Sequence, residues 1–303
     1  VSIVFHNDPF TPFDRRQKTH VDSPGYGSGN RRSVAVPAEY IPTAVDAAKL
    51  RVGARQLDPA QWVSTPDNDW LFTQVMKMQL INERPHEVIA FDDVAKEACE
   101  EASRGVLNSL NLSESDQEGI DALVDAAAAV ADDLCILIPD ENGLARLRAA
   151  VLCSPHRWRL AEKMGGTMAS IHSPVARYEE DLQSPVDAVI ARLNPERPLW
   201  RVNWGITNHP SLFQPDIPPE TLDMDPADMW LRIEWQTLRK LPESGGVLFT
   251  IRTYVEQLRD FFERDYNIVH DFGDIVNKIP ENVAQYKSIA PYRDALFAYF
   301  SSR

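Results

Sequence analysis

Met229-Trp230-Leu231-Arg232-Ile233-Glu234-Trp235-Gln236-Thr237-Leu238-Arg239-Lys240-Leu241 reads as one long strand, because its side chains sort with a period of two. Trp230, Arg232, Glu234 and Gln236 fall on one face, and Leu231, Ile233, Trp235 and Thr237 on the other. The first face is polar enough to line a pocket. Gly246 to Leu258 and Leu199 to Ile206 read as two further strands, and Leu134-Cys135-Ile136-Leu137-Ile138 ends at the turn residues Pro139-Asp140-Glu141-Asn142-Gly143 before Leu144 to Cys153 returns as the second arm of a hairpin. Between the two groups of strands, Ser154-Pro155 opens a short helix from Trp158 to Met164, closed by Gly165-Gly166, and Asp181 to Leu193 forms another with Ser184-Pro185 in its first turns. Two strands, short helices and three long strands predict an α+β fold: an antiparallel sheet with its helices gathered on one side.

Working outward, Trp70 to Asn82, Val94 to Leu110 and Glu118 to Asp133 carry helical spacing, so residues 41–133 form a mainly helical region. In Leu57-Asp58-Pro59-Ala60-Gln61-Trp62, Asp58 is placed to cap a helix with Pro59 in its first turn. Residues 1–40, including Gly25-Tyr26-Gly27-Ser28-Gly29-Asn30-Arg31-Arg32, lack apolar periodicity and read as an extended arm. The strand region takes residues 134–260, and Phe261 to Arg303 reads as a helical tail.

A chain of 303 residues with 44% hydrophobic content buries a sizeable core. Lys+Arg 31 against Asp+Glu 45 leaves a net charge of -14, which removes phosphate attraction as a driving force and argues against nucleic acid. No apolar run is long enough for a membrane span and no charged-then-apolar leader is visible. Cys99, Cys135 and Cys153 include no close-spaced pair, which fits a reducing, cytoplasmic setting.

Chemistry concentrates at a few points. Ile171-His172-Ser173-Pro174-Val175 places one imidazole at a junction that Pro174 stiffens. Arg201 and Asn203 share a face in Arg201-Val202-Asn203-Trp204; Glu234, Arg239, Arg252 and Tyr254 lie in strands where charge is costly unless paired or bound to a ligand. An internal Glu–Arg network and a ligand pocket remain alternatives on pattern alone. His156 reads as a partly exposed residue near the start of its short helix. The chain has no GxGxxG before a helix, phosphate loop, HExxH, Cys-x-x-Cys or nucleophile elbow.

These stretches resemble the haem-dependent oxidative N-demethylases, the family of the haem-binding α subunit of dimethylamine monooxygenase. The resemblance rests on Leu57 to Trp62, Asp133-Leu134-Cys135-Ile136-Leu137, Cys153 to Gly165, Ile171 to Val175, Arg201 to Trp204, Glu234 to Pro242 and Phe249 to Tyr254, and spans roughly residues 40 to 260. Two positions depart from its pattern: Ala176-Arg177 stands before Tyr178 where Pro and a small residue are expected, and Trp235 follows Glu234 where Arg is expected.

The resemblance implies a PAS-like haem-binding fold, with His172 as the axial ligand of haem b iron and Arg201, Arg239 and Arg252 as candidates for its propionates. It further implies that O2 converts dimethylamine to methylamine and formaldehyde, with Glu234 holding the cationic amine and Asn203 and Tyr254 assisting as hydrogen-bond partners. Without a flavin or nicotinamide fingerprint or iron–sulfur spacing in the chain, electrons are expected from an NADPH-dependent flavin and iron–sulfur reductase subunit. Tetrahydrofolate-binding subunits would take the formaldehyde. Two rivals stand beside this reading: a haem-binding PAS-type sensor or carrier, and a colourless binding protein in which His172 is inert.

Overall fold

Alternating strands pair edge to edge only where turns bring them back, and here the turns are well made. The computed structural model describes residues 36–37, 40–41, 52–63, 69–175, 177–217, 223–264 and 266–302; the Gly-rich stretch and most of the N-terminal arm lie outside the described residues. Among the described residues seven strands form one sheet: β1 (Arg55–Gln56), β2 (Ile89–Phe91), β3 (Asp133–Pro139), β4 (Ala145–Val151), β5 (Leu199–Thr207), β6 (Trp230–Lys240) and β7 (Val247–Gln257). Their order is β1-β5-β6-β7-β3-β4-β2, with every neighbouring pair antiparallel.

The β3–β4 turn is fixed by Asp140, whose Oδ1 accepts from Asn142 N and Leu144 N at 2.9 and 3.0 Å, while Gly143 takes φ 78°. The β6–β7 turn is anchored from outside. The carboxylate of Glu101, in helix α3 (Lys96–Ser109), accepts from Glu243 N, Ser244 N and Ser244 Oγ at 2.9, 2.8 and 2.6 Å. Glu101→Ala therefore leaves turn donors unpaired and is expected to cost about 2 kcal/mol of stability, read by urea unfolding. A loss under about 0.5 kcal/mol would mean that water replaces the carboxylate at no cost.

Two cores flank the sheet. On one face, Leu134, Ile136, Ile233, Trp235 and Leu248 pack with Val106, Leu123, Phe272 and Leu296. These contacts come from helices α1 (Trp70–Glu83), α3 and α4 (Gly119–Ala129), and from the C-terminal helices α8 (Leu258–Arg264), α9 (Tyr266–Lys278), α10 (Glu281–Tyr286) and α11 (Arg293–Ser301). On the other face, Cys135, Leu147, Leu238 and Val247 pack under Leu160, Met168, Tyr178 and Ile190. Their helices are α5 (Leu160–Lys163), α6 (Met168–Ile171) and α7 (Gln183–Ala191), the last preceded by a wide turn of π-helix over Tyr178–Leu182. One further short helix, α2 (Pro85–Val88), leads into β2. The expectation that the helices gather on one side is thus corrected: the helical region and tail supply an apolar cover for the second face.

Two smaller expectations also change. Asp58 and Pro59 form a tight turn instead of a helix start, with Gln61 N donating to Asp58 O at 2.9 Å and Ala60 N to Asp58 Oδ1 at 2.9 Å. The edge pieces β1 and β2, two and three residues long, carry too few residues for a sequence pattern to mark them.

Candidate functional site

Antiparallel register puts directly opposed residues on the same side of a sheet. Arg201 opposes Gln236, Asn203 opposes Glu234, and Glu234 opposes Thr253. Arg201, Asn203, Arg232, Glu234 and Gln236 therefore share the face covered by α5, α6 and α7. Trp235 opposes Arg252, Ile233 opposes Tyr254, and Arg239 opposes Leu248, so Arg239, Arg252 and Tyr254 point to the opposite face. Of the seven residues singled out by sequence, the structure brings His172, Arg201, Asn203 and Glu234 to one side and leaves the other three on the far side. Arg252, fully buried, lies 3.8 Å from Asp69, donates to Thr73 Oγ1 and sits over the Tyr254 ring at 4.6 Å. Arg239 stacks on Trp62 at 4.4 Å.

His172 is held by local chemistry. Thr167 caps α6 by accepting from Ser170 N, and His172 closes the helix, its Nδ1 bonded to Met168 O at 2.8 Å. Lys163 Nζ and Ser173 Oγ satisfy two more terminal carbonyls, those of Ile171 and Ser170. The imidazole stacks on Tyr178 with centroids 4.8 Å apart and planes 8° from parallel. An Nδ1–H donated to a backbone carbonyl fixes the tautomer and leaves Nε2 with its lone pair, the usual preparation of a metal-binding histidine. Burial, with the charges of Arg201 and Lys163, holds its pKa below the ordinary histidine value, so the ring is neutral at neutral pH.

Glu234 sits in a polar cluster. Its Oε1 is 3.3 Å from Arg232 Nε, and its Oε2 accepts from Asn203 Nδ2 and Gln236 Nε2, each at 3.2 Å. Arg232, 1% exposed, also donates to Ser154 O at 2.6 Å and Leu212 O at 3.3 Å. The Glu–Arg network and the polar pocket lining, posed as alternatives by the sequence, coexist in the same side chains.

Two contributors escaped the sequence reading. β1 pairs only with Leu199 and Trp200 of β5, and the end of α10 meets the rest of that edge. There Lys287 Nζ donates to Trp204 O at 2.6 Å and Asn203 Oδ1 at 3.4 Å, and lies 4.4 Å from the Trp204 ring centroid. Burial first, then Arg201, lower the Lys287 pKa to about 7 against the pull of Glu234. Tyr286, 38% exposed as a residue, has its hydroxyl raised to about 12 by burial and by Glu234. His156 is partly exposed, as expected, but lies outside any helix, in an isolated bridge to Gln214, and its Nε2 is sealed from solvent and lacks a hydrogen-bond partner. Desolvation, then Arg232, Arg157 and Lys287, hold its pKa well below the usual histidine value. No periodicity could have marked the tail residues; only the path of α10 across the sheet edge brings them here.

Haem makes two demands that can be tested on these residues: a neutral nitrogen for iron and cations for two carboxylates. His172 meets the first. Among the described residues no three His, Cys, Asp or Glu side chains come together to hold a bare metal ion. Arg201 meets the second: its Nε is buried without a partner, and burial lowers its pKa. Arg201, Arg232 and Lys287 all act on Glu234, and Asp133, which also acts on Arg232, is itself matched by Lys77, an excess of positive charge that anionic propionates would balance. An open cleft of about 510 Å³ elsewhere, lined by Phe91, Asp92, Asp93, Met164 and Gly165, offers no comparable donors, and its Asp92 is paired with Arg148.

The family model for the haem-dependent oxidative N-demethylase, alpha subunit-like proteins matches residues 108–297. The match covers more than half of the chain and takes in β3 to β7, His172, Glu234 and the tail residues Tyr286 and Lys287. No helix among the described residues is long and apolar enough to cross a membrane. The chain belongs to the haem-dependent oxidative N-demethylase alpha subunit-like family, and the family's name makes it an oxidoreductase component that depends on haem.

Proposed function

We propose that this chain is the haem-binding catalytic subunit of an oxygen-dependent amine demethylase acting on a small secondary amine. For dimethylamine the balance is (CH3)2NH + O2 + 2 e⁻ + 2 H⁺ giving CH3NH2 + HCHO + H2O. The observation that carries the reading is His172, locked by Met168 O and Tyr178 with Nε2 available, on the face that carries Glu234 and Arg201. Haem b bound there supplies the oxygen chemistry, and the protein supplies binding and orientation. Five antiparallel core strands, with the helices between the second and third laid over one face, support a PAS-like reading of the sheet.

On this reading Glu234 holds the ammonium group of the amine, and Asn203, which donates to Glu234, orients the carboxylate. Arg201 is the propionate arginine, because Arg239 and Arg252 face the other core. Tyr254 faces away with them, so its part in substrate binding is replaced by groups on the polar face. Electrons come from a partner carrying NADPH, flavin and iron–sulfur sites, and tetrahydrofolate-binding subunits take the formaldehyde; the alpha-subunit designation supports an assembly of this kind. A cytoplasmic setting fits the three unpaired, buried cysteines. A sensor role is not favoured by membership of a demethylase family.

Glu234→Gln is expected to raise the dimethylamine KM about tenfold, the scale of a charge-assisted hydrogen bond, with haem content unchanged. Loss of haem in that variant would instead give Glu234 a structural role. Lys287 adds a pH dependence. Its group is cationic below about pH 7 and competes with the cationic amine for Glu234, and neutral above it, when the amine is still protonated. Amine affinity, read from the shift of the Soret band, should therefore strengthen between pH 6 and 8 in the wild type and stay flat in Lys287→Met.

A further inference from the structure

Two donors beside His172 are buried with nothing to bond. The hydroxyl of Tyr178 has no accessible surface and no hydrogen-bond partner, and the same is true of Arg201 Nε. Buried polar groups are ordinarily satisfied, so two orphans side by side indicate a missing acceptor. They are near enough to act on each other electrostatically, and Tyr286 is likewise coupled to Arg201 from the tail side. Two carboxylates act on the pair without bonding either orphan: Glu234 on Arg201, its oxygens taken by Arg232, Asn203 and Gln236, and the partly exposed Asp187 on Tyr178. An acceptor for both can arrive with a ligand, and a phenol beside a guanidinium suits a carboxylate.

We propose that Arg201 and Tyr178 form the seat of one haem propionate, the tyrosine hydroxyl donating beside the guanidinium. The inference rests on the reading of His172 as the iron ligand. It gives Tyr178 two roles: its ring fixes the plane of the imidazole, and its hydroxyl would hold a carboxylate of the bound haem. The wide π-turn over Tyr178–Leu182, which follows Arg177 in a left-handed conformation at φ 58°, is the local irregularity that sets the ring against His172.

The test uses the full chain loaded either with protohaem or with its dimethyl ester, which keeps the macrocycle and removes the carboxylate charge. Transfer to excess apomyoglobin measures the rate of haem loss. Wild type should release the ester about tenfold faster than the free acid, the loss expected for a charge-assisted pair. Arg201→Met should release both at one fast rate. Tyr178→Phe should narrow the ratio several-fold with the Soret maximum unmoved, because the ring still stacks on His172. The melting temperature of haem-free Tyr178→Phe should not fall, since a hydroxyl without a partner has no bond to lose. A fall there, or a wild type that treats acid and ester alike, overturns the seat while leaving haem binding intact. A wild-type chain that forms no Soret band with either compound overturns the reading of His172 and the seat with it.

Discussion

His172→Ala is expected to yield a folded but colourless protein, whose Soret band returns when free imidazole is added. The expectation follows from how little else holds the metal and how much else holds the loop. His172 contributes one bond to Met168 O and one stacked contact with Tyr178, whereas Thr167, Lys163 and Ser173 keep their own bonds around α6 in its absence. The cost in fold stability is about 1 kcal/mol, the scale of a single hydrogen bond to a helix carbonyl. On the proposed role of His172, the variant would lose the nitrogen that holds the haem iron. The alanine leaves a space bounded by the Tyr178 ring, of the shape an exogenous imidazole fills, so recovery of the band by imidazole separates a lost ligand from a damaged fold. A variant that retains haem with an unaltered spectrum would remove His172 from the site and leave His156, with its bare Nε2, as the alternative imidazole.

That alternative shows where sequence stops being informative. Strand identity was legible because period-two alternation is local: Leu199 to Ile206, Met229 to Leu241 and Gly246 to Leu258 agree with β5, β6 and β7 to within two residues at each end. Which residues of β7 face Glu234 was not legible, since it depends on register. A shift of one residue would put Tyr254 opposite Glu234 and Thr253 behind it; the Leu241–Gly246 turn, held by Glu101, decides the matter. The same logic separates Arg201 from Arg252, two arginines of equal promise in strands of similar pattern. His172 was legible because its neighbours stiffen it locally. Lys287 and Tyr286 were not, because their position depends on a helix crossing the sheet edge more than eighty residues away from Asn203 in sequence.

A second replacement acts on the fold beneath the site: Lys77→Met is expected to lower the free energy of unfolding by about 3 to 5 kcal/mol, the range for removing one member of a buried charge group. Lys77, on α1, is 0% exposed, and its ammonium donates to Ala127 O, Val130 O and Asp132 O at 2.7, 2.9 and 2.6 Å. Those carbonyls lie at the C-terminal end of α4, where a cation is best placed both to satisfy unpaired acceptors and to meet the negative end of the helix dipole. Burial lowers the Lys77 pKa, and Asp133 and Asp132 oppose the shift, so the ammonium is stabilised by the charges around it. Asp133 is the other half of the arrangement. It is fully buried, burial raises its pKa to about 6 against the pull of Lys77, and its two oxygens accept from Cys153 N and Ser154 N at 2.8 Å each. Those amides begin the segment that runs into His156 and whose Ser154 O binds Arg232, so loss of Lys77 is transmitted to the partner of Glu234. Methionine matches lysine in length, which confines the effect to the charge and its bonds. Denaturant unfolding of Lys77→Met, Asp133→Asn and the double variant measures the coupling: the double variant should be less destabilised than the sum of the two, because the carboxylate left uncompensated by the first change is removed by the second. Strict additivity would mean that the two groups serve separate structures, with Lys77 only capping α4.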